Sequence, residues 1–145
     1  RADVVLIKHS ALKLSEFVKR YRGRVLVWYK PFSSGFPLNG VATHWEPIHW
    51  IKGKATRWSK DVFEYSAGPH HESSAGHPAQ FPEALAAWLI ETFSGDSGVI
   101  CDPFSGSGTV LRAAKNLNRR AIGIEIEPRY CEIAVKRLRQ EVLAL

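Results

Sequence analysis

The stretch "VICDPFSGSGTV", Val99 to Val110, decides how this chain is read. Three apolar or small residues run into Asp102-Pro103, and the backbone then passes through Ser105-Gly106-Ser107-Gly108 with almost no side chain. A short apolar run closed by turn residues is the pattern of a buried strand, and "GTVLRAAKNLN" behind it carries a helical period. "RAIGIEIEP" reads as a second buried strand. "PRYCEIAVKRLRQEVLAL" reads as an amphipathic helix, with Cys131, Val135, Leu138, Val142 and Leu145 on one side. Strand, helix, strand, helix, with near-continuous apolar strands, predicts a parallel α/β sheet.

In such sheets ligands bind beyond the carboxyl ends of the strands, and Asp102 stands at one. Gly106 and Gly108 let the backbone turn tightly and come close to a ligand. The loop is not a phosphate loop, because it holds no Lys. Nor does it complete a dinucleotide fingerprint, since Gly106-Ser107-Gly108 is followed by Thr109, Val110 and Leu111, without a third Gly. A carboxylate ahead of the glycines repels a pyrophosphate and suits a cationic ligand. On the second strand Glu125 stands near the carboxyl end, with Glu127 two residues on. A carboxylate there can accept both ribose hydroxyls of a nucleoside, each bond to a charged acceptor being worth about 1.5–3 kcal/mol. The two strands together ask for a nucleoside with a positive end, and S-adenosylmethionine has a sulfonium and an α-ammonium. The plainer alternative makes Asp102 a cap for the next helix and Glu125 a surface acid.

Upstream, "DVVLI" (Asp3 to Ile7), "RVLVWYK" (Arg24 to Lys30) and "EPIHWIKG" (Glu46 to Gly53) read as strands. "SALKLSEFVKRY" reads as a helix with Ser10 as its N-cap. Residues 54–80 are polar, rich in Gly, Pro and Ser, and show no period, which marks a functional or mobile stretch. "FPEALAAWLIETFSG" reads as a helix, with Pro82 in its first turn and Leu85, Trp88, Leu89 and Phe93 on one face. The whole chain of 145 residues carries a net charge of +6. Residues 1–60 hold twelve Lys/Arg against three Asp/Glu, a net +9, and residues 61–145 hold eight against eleven, a net −3. A basic half beside a mildly acidic half suggests a polyanion partner on one face, although many basic surfaces are merely solvated. No apolar run approaches the about 18 residues of a membrane span. The two cysteines, Cys101 and Cys131, have no metal-ligand spacing and suit buried thiols in a reducing cytoplasm.

With these residues in view, the chain resembles the DNA methyltransferases that modify exocyclic amino groups, adenine N6 or cytosine N4. "HPAQFPEAL", "DPFSGSGT" and "AIGIEIEPRYCEIAVKRL" carry the resemblance. "LVWYKP" and "EPIHWIKG" resemble segments of the permuted, β-type branch, in which the base-handling motif precedes the cofactor motif. The resemblance implies a Rossmann-like, S-adenosylmethionine-dependent fold with a mostly parallel sheet. It implies one domain over 1–145: residues 1–53 in the base-handling half, 54–80 as loop or target-recognition segment, and 81–145 as the cofactor half. It further implies that Asp102, Pro103, Phe104, Ser105, Gly106, Gly108 and Thr109 lie under the methionine part of the cofactor. Glu125 would hold the ribose, and His77, Pro78, Ala79, Gln80 and Phe81 would close over the methionyl end. Many relatives carry Lys where Phe81 stands.

The family's catalytic loop, Asp/Asn/Ser-Pro-Pro-aromatic, stacks the flipped base and binds its amino group. This chain has eight prolines and no Pro-Pro pair, so no catalytic residue is assigned in it. The strand "VVLIKHS" reads as the next one along from the catalytic strand. With no Met anywhere, this leads to the expectation of a fold incomplete at its N-terminus, with the catalytic loop upstream of Arg1. The expected partner is double-stranded DNA, in a cytoplasm of bacterial or phage-encoded origin, with self-pairing into a homodimer left open. Lys54, Arg57 and Lys60 would touch phosphates, and Trp45 and Trp58 would stack on bases, whereas Trp28 and Trp50 read as core. His70, His71 and His77 raise a metal site, but no cysteine or carboxylate completes one and none is expected. Two other readings stand beside this one: a non-catalytic remnant that binds nucleic acid or cofactor, and a nucleotide-dependent α/β oxidoreductase, which the missing third Gly disfavours.

Overall fold

The computed structural model describes residues 2–8, 11–31, 44–65 and 81–140. The chain divides into two compact units, Arg1–Ala67 and Gly68–Leu145, with the division inside the 54–80 segment.

The first unit is built on a four-stranded sheet: β1 (Val5–Lys8), β2 (Arg24–Tyr29), β3 (Trp45–Lys52) and β4 (Val62–Glu64), in the order β1-β3-β2-β4. β3 pairs antiparallel with β1 and with β2, and β4 lies parallel to β2. The short strand β4 falls where the sequence offers no period, because three residues are too few to show one. Pro47 sits inside β3 without breaking a rung. Its partner Val27 donates its N–H to Asp61 on the β4 side, so the missing donor of Pro47 faces β1, which has already ended opposite Ile48. Leu26, Trp28, Ile48 and His49 are buried. A 3-10 turn, Ala11–Lys13, leads into the helix α1 (Leu14–Arg20), whose cap position is Lys13. Ser10 lies outside the described residues. Above Trp28, the Glu46 carboxylate takes Lys30 at 2.6 Å on one oxygen and Lys8 on the other, and both ammonium groups lie over the indole. Burial pushes the Glu46 carboxyl up, but hydrogen bonds and charge from Lys30 and Lys8 outweigh it and hold the group below its usual value.

The second unit holds α2 (Glu83–Phe93), β5 (Val99–Asp102), α3 (Thr109–Asn116), β6 (Arg120–Gly123) and α4 (Pro128–Arg139). β5 and β6 pair in parallel, with Asp102 opposite Gly123, and α3 makes the crossover between them. The core joins Ala86 and Ile90 of α2 to Ala113 and Ala114 of α3, with Phe81, Ile100, Val110 and Leu117 packed around them. Small residues on both helices let the backbones approach. Pro82 caps α2 with an extended backbone, as its fixed φ allows. α3 ends on Asn118 in the left-handed region, φ 55°. Asn118 donates its N–H to Lys115 and Arg119 donates to Ala114, which closes the helix and turns the chain into β6.

Three expectations of burial are corrected here. Val99, Cys101 and all four residues of β6 are exposed rather than buried, and among the described residues β6 has only β5 as a hydrogen-bonded neighbour, which leaves it at an edge. Ile122 of β6, and Ile124 and Ile126 in the chain that leaves it, are exposed as well. Cys101 is therefore an exposed thiol and Cys131 a half-buried one. On α4 the buried residue is Ala134, while Val135 is 46% exposed, so the packed face is rotated from the predicted stripe. Val142 and Leu145 lie outside the described residues. No described helix is long and apolar enough to cross a membrane.

Candidate cofactor site

Asp102 ends β5 and makes its own turn. Its Oδ1 accepts the Phe104 N–H at 3.1 Å, the local bond that Asp favours after a strand. Ile124 donates to the Asp102 carbonyl at 2.9 Å, and the Ser105 N–H returns to the Ile124 carbonyl at 3.0 Å. The loop after β5 thus stays bonded to the chain leaving β6. Gly123 makes this approach feasible: a Cβ there would stand 2.5 Å from Leu111 Cδ1 and 3.0 Å from the Ser105 side chain. Gly108 then caps α3 with φ 82°, and a Cβ on it would meet that of Ala134 at 2.9 Å.

Glu125 reaches back to the loop. Its Oε2 accepts the Gly106 N–H at 2.7 Å, and its Oε1 accepts the Glu127 N–H at 2.9 Å. Both carboxylate oxygens are thus turned toward backbone N–H groups at the mouth of the loop and of the next turn. Glu127 caps α4 through its own side chain, which accepts from the Arg129 N–H.

These elements enclose a hollow of about 270 Å³. Asp102 and Glu125 both line it, from the carboxyl ends of neighbouring parallel strands. Ser105, Gly106, Ser107 and Thr109 form its floor, and Phe81, Phe104, Val110 and Tyr130 supply apolar surface. Phe104 is 88% exposed, an apolar ring that folding leaves in water. Burial pushes the Asp102 carboxyl above its usual value, the Phe104 N–H opposes the rise, and the Glu125 charge adds to it. The like charges make the hollow a place where a cation relieves both groups.

Of the residues singled out in the sequence, Phe81, Asp102, Phe104, Ser105, Gly106, Thr109 and Glu125 meet around this hollow. Pro103 and Gly108 belong to its loop rather than its wall. His77, Pro78, Ala79 and Gln80 lie outside the described residues, as do His70 and His71. Sequence reasoning missed Gly123, Ser107, Val110 and Tyr130. A glycine inside a strand is a signal of close backbone approach and would have flagged Gly123. Tyr130 stands in the first turn of the helix that follows Glu125, a position the motif order also gives. In the other unit, Trp58 is 88% exposed amid exposed Lys54, Arg57 and Lys60. Trp45 is instead the first, half-buried residue of β3, so it is not the loop residue the sequence suggested.

Comparison with known proteins gives the same assignment throughout. The DNA methylase family (N6_N4_Mtase) matches residues 7–136. The type II methyltransferase M.ScaI of Streptomyces caespitosus is 48% identical over 69 residues, 48% of this chain and 23% of that enzyme. M.HindIII of Haemophilus influenzae is 33% identical over 123 residues, 78% of this chain and 39% of that enzyme. The chain thus spans well under half the length of these relatives. Among solved structures, the M1.HpyAVI complex with S-adenosylmethionine superposes with a TM-score of 0.77 at 26% identity, over 94% of this chain and 74% of that one. The cytosine-N4-specific PvuII DNA methyltransferase shares the fold, with a TM-score of 0.70 at 17% identity, over 90% of this chain and 57% of that one. A family match across residues 7–136, together with the acid-flanked glycine loop, places the chain among the N6/N4 DNA methylases.

Proposed function

We propose that this chain is the cofactor-binding part of an S-adenosylmethionine-dependent DNA methyltransferase acting on an exocyclic amino group, adenine N6 or cytosine N4. The observation that carries the reading is the pair of carboxylates, Asp102 and Glu125, set at adjacent strand ends around one glycine-floored hollow. The residues present fit the cofactor. The partly desolvated Asp102 carboxylate and the neighbouring Glu125 charge favour a cationic ligand. Glu125 lines the hollow while it holds the loop through Gly106 and the turn through Glu127, and a carboxylate so placed suits ribose hydroxyls. Phe104, Tyr130, Phe81 and Val110 offer apolar surface to an adenine ring and a methionyl chain. His77-Pro78-Ala79-Gln80 are assigned to the methionyl end on the family resemblance alone. When bound, the cofactor supplies an electrophilic methyl on a positively charged sulfur. The task of this chain is to orient that group and balance its charge, because in-line transfer depends chiefly on positioning.

The base-orienting Pro-Pro loop has no counterpart among these 145 residues. The chain therefore binds cofactor without turning it over, and DNA contact falls to the basic unit through Trp58, Lys54, Arg57 and Lys60. Thermal unfolding with S-adenosylmethionine and with NAD tests the reading, alongside transfer of labelled methyl to duplex DNA. S-adenosylmethionine is expected to raise Tm and NAD to leave it, with no methyl incorporation by this chain alone. Protection by NAD instead refutes the cofactor, and robust methylation refutes the separation of binding from transfer.

A further inference from the structure

The glycine loop is held from behind by a residue that does not line the hollow. Arg137, on α4, points its guanidinium Nη1 at the Ser107 carbonyl (3.1 Å), the Ser107 hydroxyl (3.3 Å) and the Thr109 hydroxyl (3.3 Å). Its Nη2 stands 3.9 Å from the Glu83 carboxylate, at the start of α2. Ser107 and Thr109 flank Gly108 and are almost fully buried, at 3% and 6% exposed. The arrangement is reciprocal. The buried Arg112 of α3 donates to the Arg137 carbonyl at 2.7 Å and also to the Gln140 carbonyl, and Lys115 donates to the Leu138 carbonyl at 2.6 Å. Cations of α3 thus secure the carbonyl end of α4, where the helix dipole favours them. Arg137 on that end in turn secures the loop that starts α3.

We propose that Arg137 is a positioning residue for the cofactor loop, acting through Ser107 and Thr109. The inference rests on the cofactor reading above. A loop with positive φ at Gly106 and Gly108 loses much backbone freedom when it becomes ordered. Charge-assisted bonds on both sides of Gly108 meet that cost before the ligand arrives, and preorganisation of this kind appears as affinity. Lysine in place of Arg137 keeps the cation but loses the fork geometry.

The test is calorimetric titration of S-adenosylmethionine into the unaltered chain and into Arg137→Ala, Arg137→Lys and Glu83→Gln, with Tm recorded for each. Arg137→Ala is expected to bind at least about tenfold more weakly while still folded, and Arg137→Lys to regain part of the loss. Glu83→Gln removes the charge that faces Arg137 while its amide oxygen can still accept from Asn116 Nδ2, as Glu83 Oε1 does at 2.5 Å, so it is expected to lower Tm and to keep its affinity within about threefold. Equal affinity in Arg137→Ala overturns the proposal, and so does an equal loss in Glu83→Gln, which marks a packing effect. If Arg137→Ala does not fold, Arg137→Met, which keeps the apolar stem but has no donor, decides: weaker binding at unchanged Tm supports the role, and unchanged binding overturns it. No binding by the unaltered chain defeats the cofactor reading and this inference together. Binding by the unaltered chain with no effect of Arg137→Ala defeats this inference alone.

Discussion

Burial pushes the Asp102 carboxyl above its usual range, the Phe104 N–H pulls it back, and the Glu125 charge adds to the rise. A raised folded value means that the folded chain holds this proton more tightly than the unfolded chain. The stability linked to it is fully present below the unfolded pKa of about 3.9 and is lost as pH rises through the folded value. At neutral pH the charged group therefore weighs against folding. Asp102→Asn is expected to unfold at a higher Tm than the unaltered chain at neutral pH, and the difference should vanish in acid, where both side chains are neutral. A lower Tm in the variant at neutral pH would show that the charge supports the fold. Affinity runs the other way: S-adenosylmethionine should bind more weakly as pH falls through the folded value of Asp102. Asp102 and Glu125 were legible because a carboxylate at a strand end stands out against apolar neighbours. A glycine inside the strand signalled a close approach at Gly123, but not that Leu111 and Ser105 are what approaches it.

At the scale of elements, the contact between α3 and α4 turns on Gly108 and Ala134. The strand–helix alternation of the second unit could be read from the periods of the sequence. The packed face of α4 could not, because the approach at Gly108 draws in Ala134 rather than Val135. Burial of β5 and β6 was overestimated for a related reason: an apolar strand reveals its alternation, not what covers each face. Gly108→Ala tests the contact. The left-handed backbone at φ 82° costs a side chain about 1–2 kcal/mol, and overpacking against Ala134 adds about 1–3 kcal/mol. Urea unfolding should show a loss within the sum of these ranges. A loss below about 0.5 kcal/mol, the scale of neutral surface changes, would mean the helices part without cost.

Across the whole molecule, charge divides along the chain: residues 1–60 are strongly basic and the remainder mildly acidic. That asymmetry was legible from composition. The sequence put Trp45 and Trp58 forward together, and the structure separates them, with Trp45 half-buried at the start of β3 and Trp58 exposed. Base stacking is worth about 1–3 kcal/mol, so under the proposed DNA contact Trp58→Ala is expected to weaken duplex binding by about fivefold to 150-fold. Removing Lys54, Arg57 and Lys60 together should flatten the dependence of log affinity on log salt by up to about 2.7, if each meets a phosphate of duplex DNA. An unchanged salt slope would move the DNA contact elsewhere.

The proposed site requires one cationic nucleoside to meet acids from two adjacent strands. Titration of S-adenosylmethionine into the unaltered chain, Asp102→Asn and Glu125→Gln measures that requirement. Binding by the unaltered chain, with at least about tenfold weakening in each variant, is the predicted result, from the loss of about 1.5–3 kcal/mol per charged acceptor. Affinities that stay equal across all three would contradict it.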